Sequence, residues 1–135
     1  MINCTKEDII FESCKCGYIE FVQHYKDNGL KINYQTHHDG MTSLHWASYK
    51  NHLNVVKLLI EDDMSGIDLC DFCTGETALI NASTSGNLEI VKYLVEKGAN
   101  VHKIGFFGET ALIAAMEENH TEIVDYLLKC GAITY

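Results

Sequence analysis

The chain is 135 residues long, 47% apolar and 21% charged, and carries 19 Asp plus Glu against 10 Lys plus Arg, for a formal charge of −9. That length suits one domain with its own core, and that composition excludes a disordered chain. There is no apolar run long enough to span a bilayer, no apolar stretch near Met1 to serve as a secretory signal, and no basic surplus to displace counterions from a nucleic acid.

Read from the N-terminus, Thr5-Lys6-Glu7-Asp8 starts a helix in capping-box style, with Asp8 where Glu or Gln is usual. Ile9, Ile10, Phe21, Val22 and Tyr25 follow as apolar positions expected to bury against the next unit. Cys14 and Cys16 are one residue apart and splay on a helix, so one thiol should be partly buried and the other exposed. Gly40-Met41-Thr42-Ser43-Leu44-His45-Trp46-Ala47 opens a second unit, with Trp46 expected in or half in the core. In the third unit Thr77 is placed to cap a short helix that keeps Leu79, Ala82 and Ser83 on helical spacing and breaks at Gly86. A second helix, about Leu88 to Glu96, sets Ile90, Val91, Leu94 and Val95 on one face, with Gly98 at the left-handed position beyond it. The fourth unit begins at Gly108, and Glu117, Glu118, Asn119 and His120 make it polar on one side, as a terminal unit needs to be.

These units are copies. Placing residues 75–102 over 108–135 gives 14 identities in 28 positions at an offset of 33, and Gly40 holds the same frame 35 residues before Gly75. A degenerate first copy matches Ile10 to Leu44, Ser13 to Ala47 and Gly17 to Asn51. Ser13, Ala47, Ala82 and Ala115 are all small at one position, which allows close helix approach. Asn51 and Asn119 replace Gly86 at the interhelix turn, where Asn tolerates left-handed geometry best after glycine. Two extra residues fall around 62–65, predicting a longer turn there capped by Gly66.

Thr42-Ser43-Leu44-His45-Trp46-Ala47, Thr77-Ala78-Leu79-Ile80-Asn81-Ala82 and Thr110-Ala111-Leu112-Ile113-Ala114-Ala115 resemble the Thr-Pro-Leu-His-x-Ala signature of the ankyrin repeat, over essentially the whole chain. The resemblance implies an all-α solenoid of stacked helix-turn-helix units with β-hairpin-like finger loops, forming a single domain over 1–135 with repeats at about 5–39, 40–74, 75–107 and 108–135. It also implies a structural role for His45, hydrogen-bonded around the finger and the helix start. The family proline is missing throughout; Ser43, Ala78 and Ala111 stand in its place, which should leave the helix starts less rigid. A chain of this kind could be a complete protein or a piece of a longer array.

No cofactor motif is present, and no residue set reads as catalytic. Gly105-Phe106-Phe107-Gly108 lacks the spacing and lysine of a phosphate loop and reads as a turn. The acid pairs Asp62-Asp63 and Glu117-Glu118 diverge on a helix and read as surface charge. Cys70-x-x-Cys73, with His37 and His38 on the preceding finger, has zinc-ligand spacing and supports a competing metal- or redox-responsive reading. Neighbouring repeats lie roughly 10 Å apart, long for shared ligation. With no export signal, the six cysteines are expected to be reduced, in the cytoplasm or the nucleus.

In ankyrin repeats partners touch the finger tips and the exposed side of the first helix of each unit. Carried over by position, the second unit presents His38, Asp39, Met41, Tyr49 and Lys50; the third Cys73, Thr74, Glu76, Thr84 and Ser85; the fourth Phe106, Phe107, Glu109, Glu117 and Glu118, with Lys15 from the first. One of Phe106 and Phe107 is expected to pack beneath its finger and the other to join Met41 and Tyr49 as an aromatic anchor. The expectation is a monomeric, non-enzymatic interaction module, adaptor or inhibitor, whose partner is a protein with a basic or aromatic-accepting surface. Short four-repeat kinase inhibitors of the family are the analogy.

Overall fold

A computed structural model describes residues 4–133. Among them run eight α-helices: α1 (Lys6–Cys16), α2 (Ile19–Asp27), α3 (Ser43–Tyr49), α4 (Leu53–Asp62), α5 (Ala78–Ser85), α6 (Leu88–Glu96), α7 (Ala111–Glu117) and α8 (Thr121–Lys129). Each odd-numbered helix packs on the even-numbered helix after it. The odd helices also stack on one another, and so do the even ones, which gives two layers. The core lies between them, with Ile10, Leu44, Leu79 and Leu112 from the first layer and Val22, Val56, Val91 and Leu127 from the second all buried. Ser13, Ala47, Ala82 and Ala115 are buried at the small position expected from the repeat.

Threonine hydroxyls start the odd helices. Thr42 accepts from His45 N at 3.0 Å, Thr77 from Ile80 N at 3.3 Å and Thr110 from Ile113 N at 3.2 Å. At α1 the expected capping box is present: Asp8 N donates to Thr5 Oγ1 at 3.1 Å, and Thr5 N donates to Asp8 Oδ2 at 2.8 Å. Thr5 stands one turn before the repeat-frame position of Thr42, so α1 has 11 residues where α3 has 7. In place of the family proline, Ser43 ties the start of α3 to the segment before it. Ser43 N donates to Tyr34 O at 2.9 Å, and its hydroxyl donates to Ile32 O at 3.1 Å while accepting from Tyr34 N at 3.2 Å.

The interhelix turns explain the alternation of glycine and asparagine. Asn51 and Asn119 hold φ of 65° and 59°, close to Gly17 and Gly86 at 76° and 80°. A Cβ on Gly17 would meet the His52 ring at 2.4 Å, and one on Gly86 would meet the His120 ring at 2.6 Å. Glycine therefore occupies the turn where the following unit lays a histidine ring across it. Where the following unit brings Asn87 instead, the turn residue is Asn51, and Asn87 Nδ2 donates to Ser48 O at 2.7 Å.

Four expectations are corrected. The longer turn expected around 62–65 is present, but Gly66 closes it without a left-handed cap. Asp63 is extended and accepts from Ser65 N at 2.9 Å, which starts a 3-10 turn over Met64–Gly66 and leaves Gly66 buried with no positive φ. Ile9 and Phe21 do not bury with Ile10 and Val22; they are 49% and 58% exposed, because helix neighbours diverge by about 100° and only one of each pair can face the second unit. The last unit is polar at Glu117, Glu118 and Asn119 but also exposes Met116, Leu128 and Ile133. His120 does not belong to its polar side: the ring is half-buried over Gly86, with Nε2 3.0 Å from Thr84 O.

Candidate functional site

Three loops, 36–41, 71–76 and 105–109, stand ahead of α3, α5 and α7 as fingers. Each is closed by one hairpin-type backbone bond: Thr36 N to Met41 O at 3.0 Å, Asp71 N to Glu76 O at 3.1 Å and Gly105 N to Glu109 O at 2.7 Å. The fingers are also tied side by side, since Phe72 N donates to Asp39 O at 2.8 Å and Phe106 N to Thr74 O at 2.7 Å. An Asp–Thr pair closes the first two loops in opposite order. In the first, the Thr36 hydroxyl donates to Asp39, which also accepts from Met41 N at 3.0 Å. In the second, the Thr74 hydroxyl donates to Asp71 Oδ2 at 2.6 Å. Asp39 and Thr74, read from the sequence as contact residues, thus hold their own loops together.

His45 anchors this arrangement from beneath. It is 1% exposed; Nδ1 accepts from Thr42 N at 2.9 Å, so Nε2 carries the hydrogen and faces Leu69 O at 2.9 Å and Glu76 O at 3.1 Å. Burial holds the ring below the ordinary histidine pKa, against the pull of those carbonyls and of Asp71 and Asp39, so it is neutral at neutral pH. The ring is a structural strut, as the resemblance implies.

At the finger tips the aromatic rings are open. Phe106 and Phe107 are 64% and 75% exposed, so neither packs beneath the loop. Phe106 instead lies over Gly75 of the preceding finger, where a Cβ would meet its ring at 2.5 Å, and Phe72 lies in the same way over Gly40. The bare glycine backbone of one finger is the seat for the next finger's ring, a relation that no single repeat displays. His38 is exposed beside Asp39 at 3.3 Å, Cys73 is exposed, and Met41 is half-buried.

Along the odd helices, Tyr49 is exposed and meets Trp46 edge-on at 6.3 Å between centroids. Lys15 Nζ sits 4.2 Å above the Trp46 ring centroid, and Lys50 Nζ lies 6.0 Å from it and 5.8 Å from that of Tyr49. Trp46 is therefore half-buried under lysine and belongs to the surface row with Tyr49. Thr84 and Ser85 are half-buried, and the Thr84 hydroxyl donates back to Ile80 O at 2.9 Å; Glu117 and Glu118 are exposed.

Glu76 and Glu109 stand at the same place in successive repeats, each just before the helix-capping threonine, and both are half-buried. Burial, with Asp71 and Glu109 nearby, pushes the Glu76 carboxyl above its ordinary value, and a hydrogen bond from Asn81 opposes the shift. A carboxyl raised in the folded state binds its proton more tightly there than when unfolded, so its contribution to stability falls as pH rises through the raised value. Glu76→Gln keeps the acceptor for Asn81 and removes the charge. It is expected to raise the melting temperature by about 1–2 °C at pH 7, with the gain vanishing near pH 4, measured by calorimetry across that range.

Cys70, Cys73, His37 and His38 do not assemble into a metal centre: among the described residues no three His, Cys, Asp or Glu side chains come together as a metal would require. The Cys14 thiol is buried 3.7 Å from Ile32 O, and burial pushes it up to about 12, so it stays protonated. No helix among the described residues is long and apolar enough to cross a membrane.

Comparison with known proteins agrees with this architecture. The family model described as ankyrin repeats in three copies matches residues 10–104 and 69–134. The chain is 38% identical over 92 residues to the mouse ankyrin repeat and SAM domain-containing protein 6, covering 68% of this chain and 10% of that protein. It is 36% identical over 97 residues to the 26S proteasome non-ATPase regulatory subunit 10 of Dictyostelium discoideum, covering 71% of this chain and 41% of that one. A Debaryomyces hansenii protein named palmitoyltransferase AKR1 is 42% identical over 60 residues, 7% of its length. The chain thus spans well under half the length of these relatives. Four helix pairs on a repeat near 33 residues, threonine-capped first helices, linked fingers and the family match together make this chain a member of the ankyrin repeat family.

Proposed function

We propose that the chain is a non-catalytic protein-interaction module, an adaptor or inhibitor, that holds a basic segment of a partner protein across its fingers and odd-numbered helices. Ankyrin repeats generally mediate protein–protein interaction, and the observation that carries the reading to this face is its row of open aromatic rings. Phe72, Phe106 and Phe107 at the finger tips and Tyr49 on α3 are all exposed beside a half-buried Trp46. Large rings left in water on one face are the kind of anchor enriched at interface hot spots. Among the described residues the acids beside them have no counter-ion of their own. The ion pairs among the described residues are His38 with Asp39 and Lys92 with Glu89, which leaves Glu76, Glu109, Glu117 and Glu118 free to attract a basic partner. The protein is read as a monomer of the cytoplasm or the nucleus.

The double variant Tyr49→Ala/Phe107→Ala is expected to weaken partner binding at least about thirtyfold while leaving the urea midpoint nearly unchanged, since both side chains are exposed. Affinity capture followed by titration of the purified partner checks it. Unaltered binding by the double variant overturns the assignment of this face.

A further inference from the structure

Where the third and fourth units meet, Asn81 and Glu109 each hold a buried acceptor atom with no hydrogen-bond partner among the described residues. Asn81 on α5 is 6% exposed, and its Nδ2 donates to Glu76 Oε2 at 3.0 Å. That bond fixes which end of the amide faces the carboxylate, and it leaves Asn81 Oδ1 buried with no hydrogen-bond partner. Glu109, one repeat further on, also has a buried Oε2 with no partner. The Glu76 side chain lies against the base of the Glu109 finger: a Cβ on Gly105 would lie 3.5 Å from Glu76 Cγ and 3.6 Å from the Glu109 backbone oxygen, and the two carboxyls are close enough for their charges to repel. Asp71 is close by but already saturated, accepting from Cys73 N, Thr74 N, Thr74 Oγ1 and Glu76 N. Buried polar atoms are rarely left unpaired, and each one that is costs free energy until a donor arrives.

We propose that Glu76, Glu109 and Asn81 form a seat for one lysine side chain of the bound partner. The proposal rests on the reading of this face as the protein-binding surface and names the chemistry recognised there. A primary ammonium brings three donors and no acceptor, the complement of two carboxylates and a carboxamide oxygen. The terminal carboxylate torsion of Glu109 is broad, so its sheltered oxygen can turn toward an arriving ammonium. Burial beside Asp71 and Glu109 raises the cost of ionising Glu76, and a seated cation removes that cost. The opposite end of the face carries its own cations, with Lys15 over the Trp46 ring and Lys50 near that of Tyr49. The face is thus polarised, and a bound segment places its lysine over the third and fourth units. A divalent metal fits poorly, since the carboxylate nearby, Asp71, is taken up by four donors, and among the described residues no three acidic, histidine or cysteine side chains come together as a metal requires.

The test titrates the isotope-labelled protein with an acetylated, amidated pentapeptide of alanines carrying one central lysine, followed by proton–nitrogen NMR. The Asn81 side-chain amide and the Glu76 and Glu109 backbone amides are expected to shift in a saturable way. The shifts should fade with added salt, weaken about tenfold or more in Glu76→Gln/Glu109→Gln, and be absent with a norleucine peptide. The norleucine comparison needs no variant, so it stands even if the double substitution perturbs folding. Equal shifts with norleucine, no response to lysine, or a larger response to calcium than to the peptide each overturn the seat. Those results leave the interaction face standing if partner binding still depends on Tyr49 and Phe107; if that dependence is missing, the face itself fails.

Discussion

His45→Ala is expected to lower unfolding stability by about 4 kcal/mol, a large share of the roughly 5–15 kcal/mol typical of a domain. The ring is 1% exposed, so its removal leaves a cavity in the layer of odd helices. It also leaves two backbone groups without a partner, Thr42 N at the start of α3 and Leu69 O ahead of the second finger, and takes from Glu76 O the second of its two donors, the other being Asp71 N. Each buried group left without a partner costs about 1–3 kcal/mol, and here the two lie in different segments that this imidazole joins. Stability should also depend on pH through this residue. The folded ring holds its pKa below the unfolded value of about 6.5, so the unfolded chain takes up the proton first as pH falls. The contribution of His45 is therefore complete above about pH 6.5 and lost progressively below it, down to the lowered folded value. Urea denaturation of both proteins at several pH values should show a gap that is widest at neutral pH and narrows on acidification. A constant gap, or one under about 1 kcal/mol, contradicts this account.

The same residue shows what a sequence of this kind makes legible. The Thr42–His45 spacing marks a helix start, and the structural role follows from the family pattern; the two carbonyls, 24 and 31 residues downstream, follow only from the stacking of one repeat on the next. Helix positions, small core residues and left-handed turns were readable because each recurs at a fixed offset, so one copy checks another. Relations between copies were not. Glycine stands at 17 and 86 because His52 and His120 lie across those turns, and Gly75 carries Phe106 in the same manner. Asn81 was invisible as a site residue, since its repeat-frame counterparts are Trp46 and Ala114 and no pattern marks it. Its meaning comes from burial next to Glu76. Apolar spacing also left the choice within adjacent pairs undecided, which is why Ile9 and Phe21 turned outward while Ile10 and Val22 turned in.

Asp71→Ala is expected to cost about 3 kcal/mol, with the damage concentrated in the fingers. The Asp71 carboxylate is buried and accepts from Thr74 N at 2.6 Å, the Thr74 hydroxyl at 2.6 Å, Cys73 N at 2.8 Å and Glu76 N at 3.2 Å. Burial alone would raise its pKa, but those four donors outweigh burial and hold the carboxyl below the ordinary aspartate value. Its stabilisation is therefore fully present above the unfolded value of about 3.9 and is lost as pH falls through the lowered folded one. Alanine leaves three amides of one short loop without an acceptor, and the loop is the middle member of a linked row. Phe72 N reaches back to Asp39 O and Phe106 N reaches onto Thr74 O, so loosening 71–76 releases a ring on either side. Amide exchange should accelerate first at Cys73, Thr74 and Glu76 and then at Phe106, while Leu94 and Leu127 in the even-helix layer keep protection up to the reduced global stability. Asp71→Asn, which keeps an acceptor but loses the charge, should fall between the two proteins. If exchange rises uniformly through the even helices instead, Asp71 supports the whole solenoid rather than its fingers. If it rises only in 71–76 and Phe106 is spared, the fingers are independent loops and the aromatic row is not a single surface.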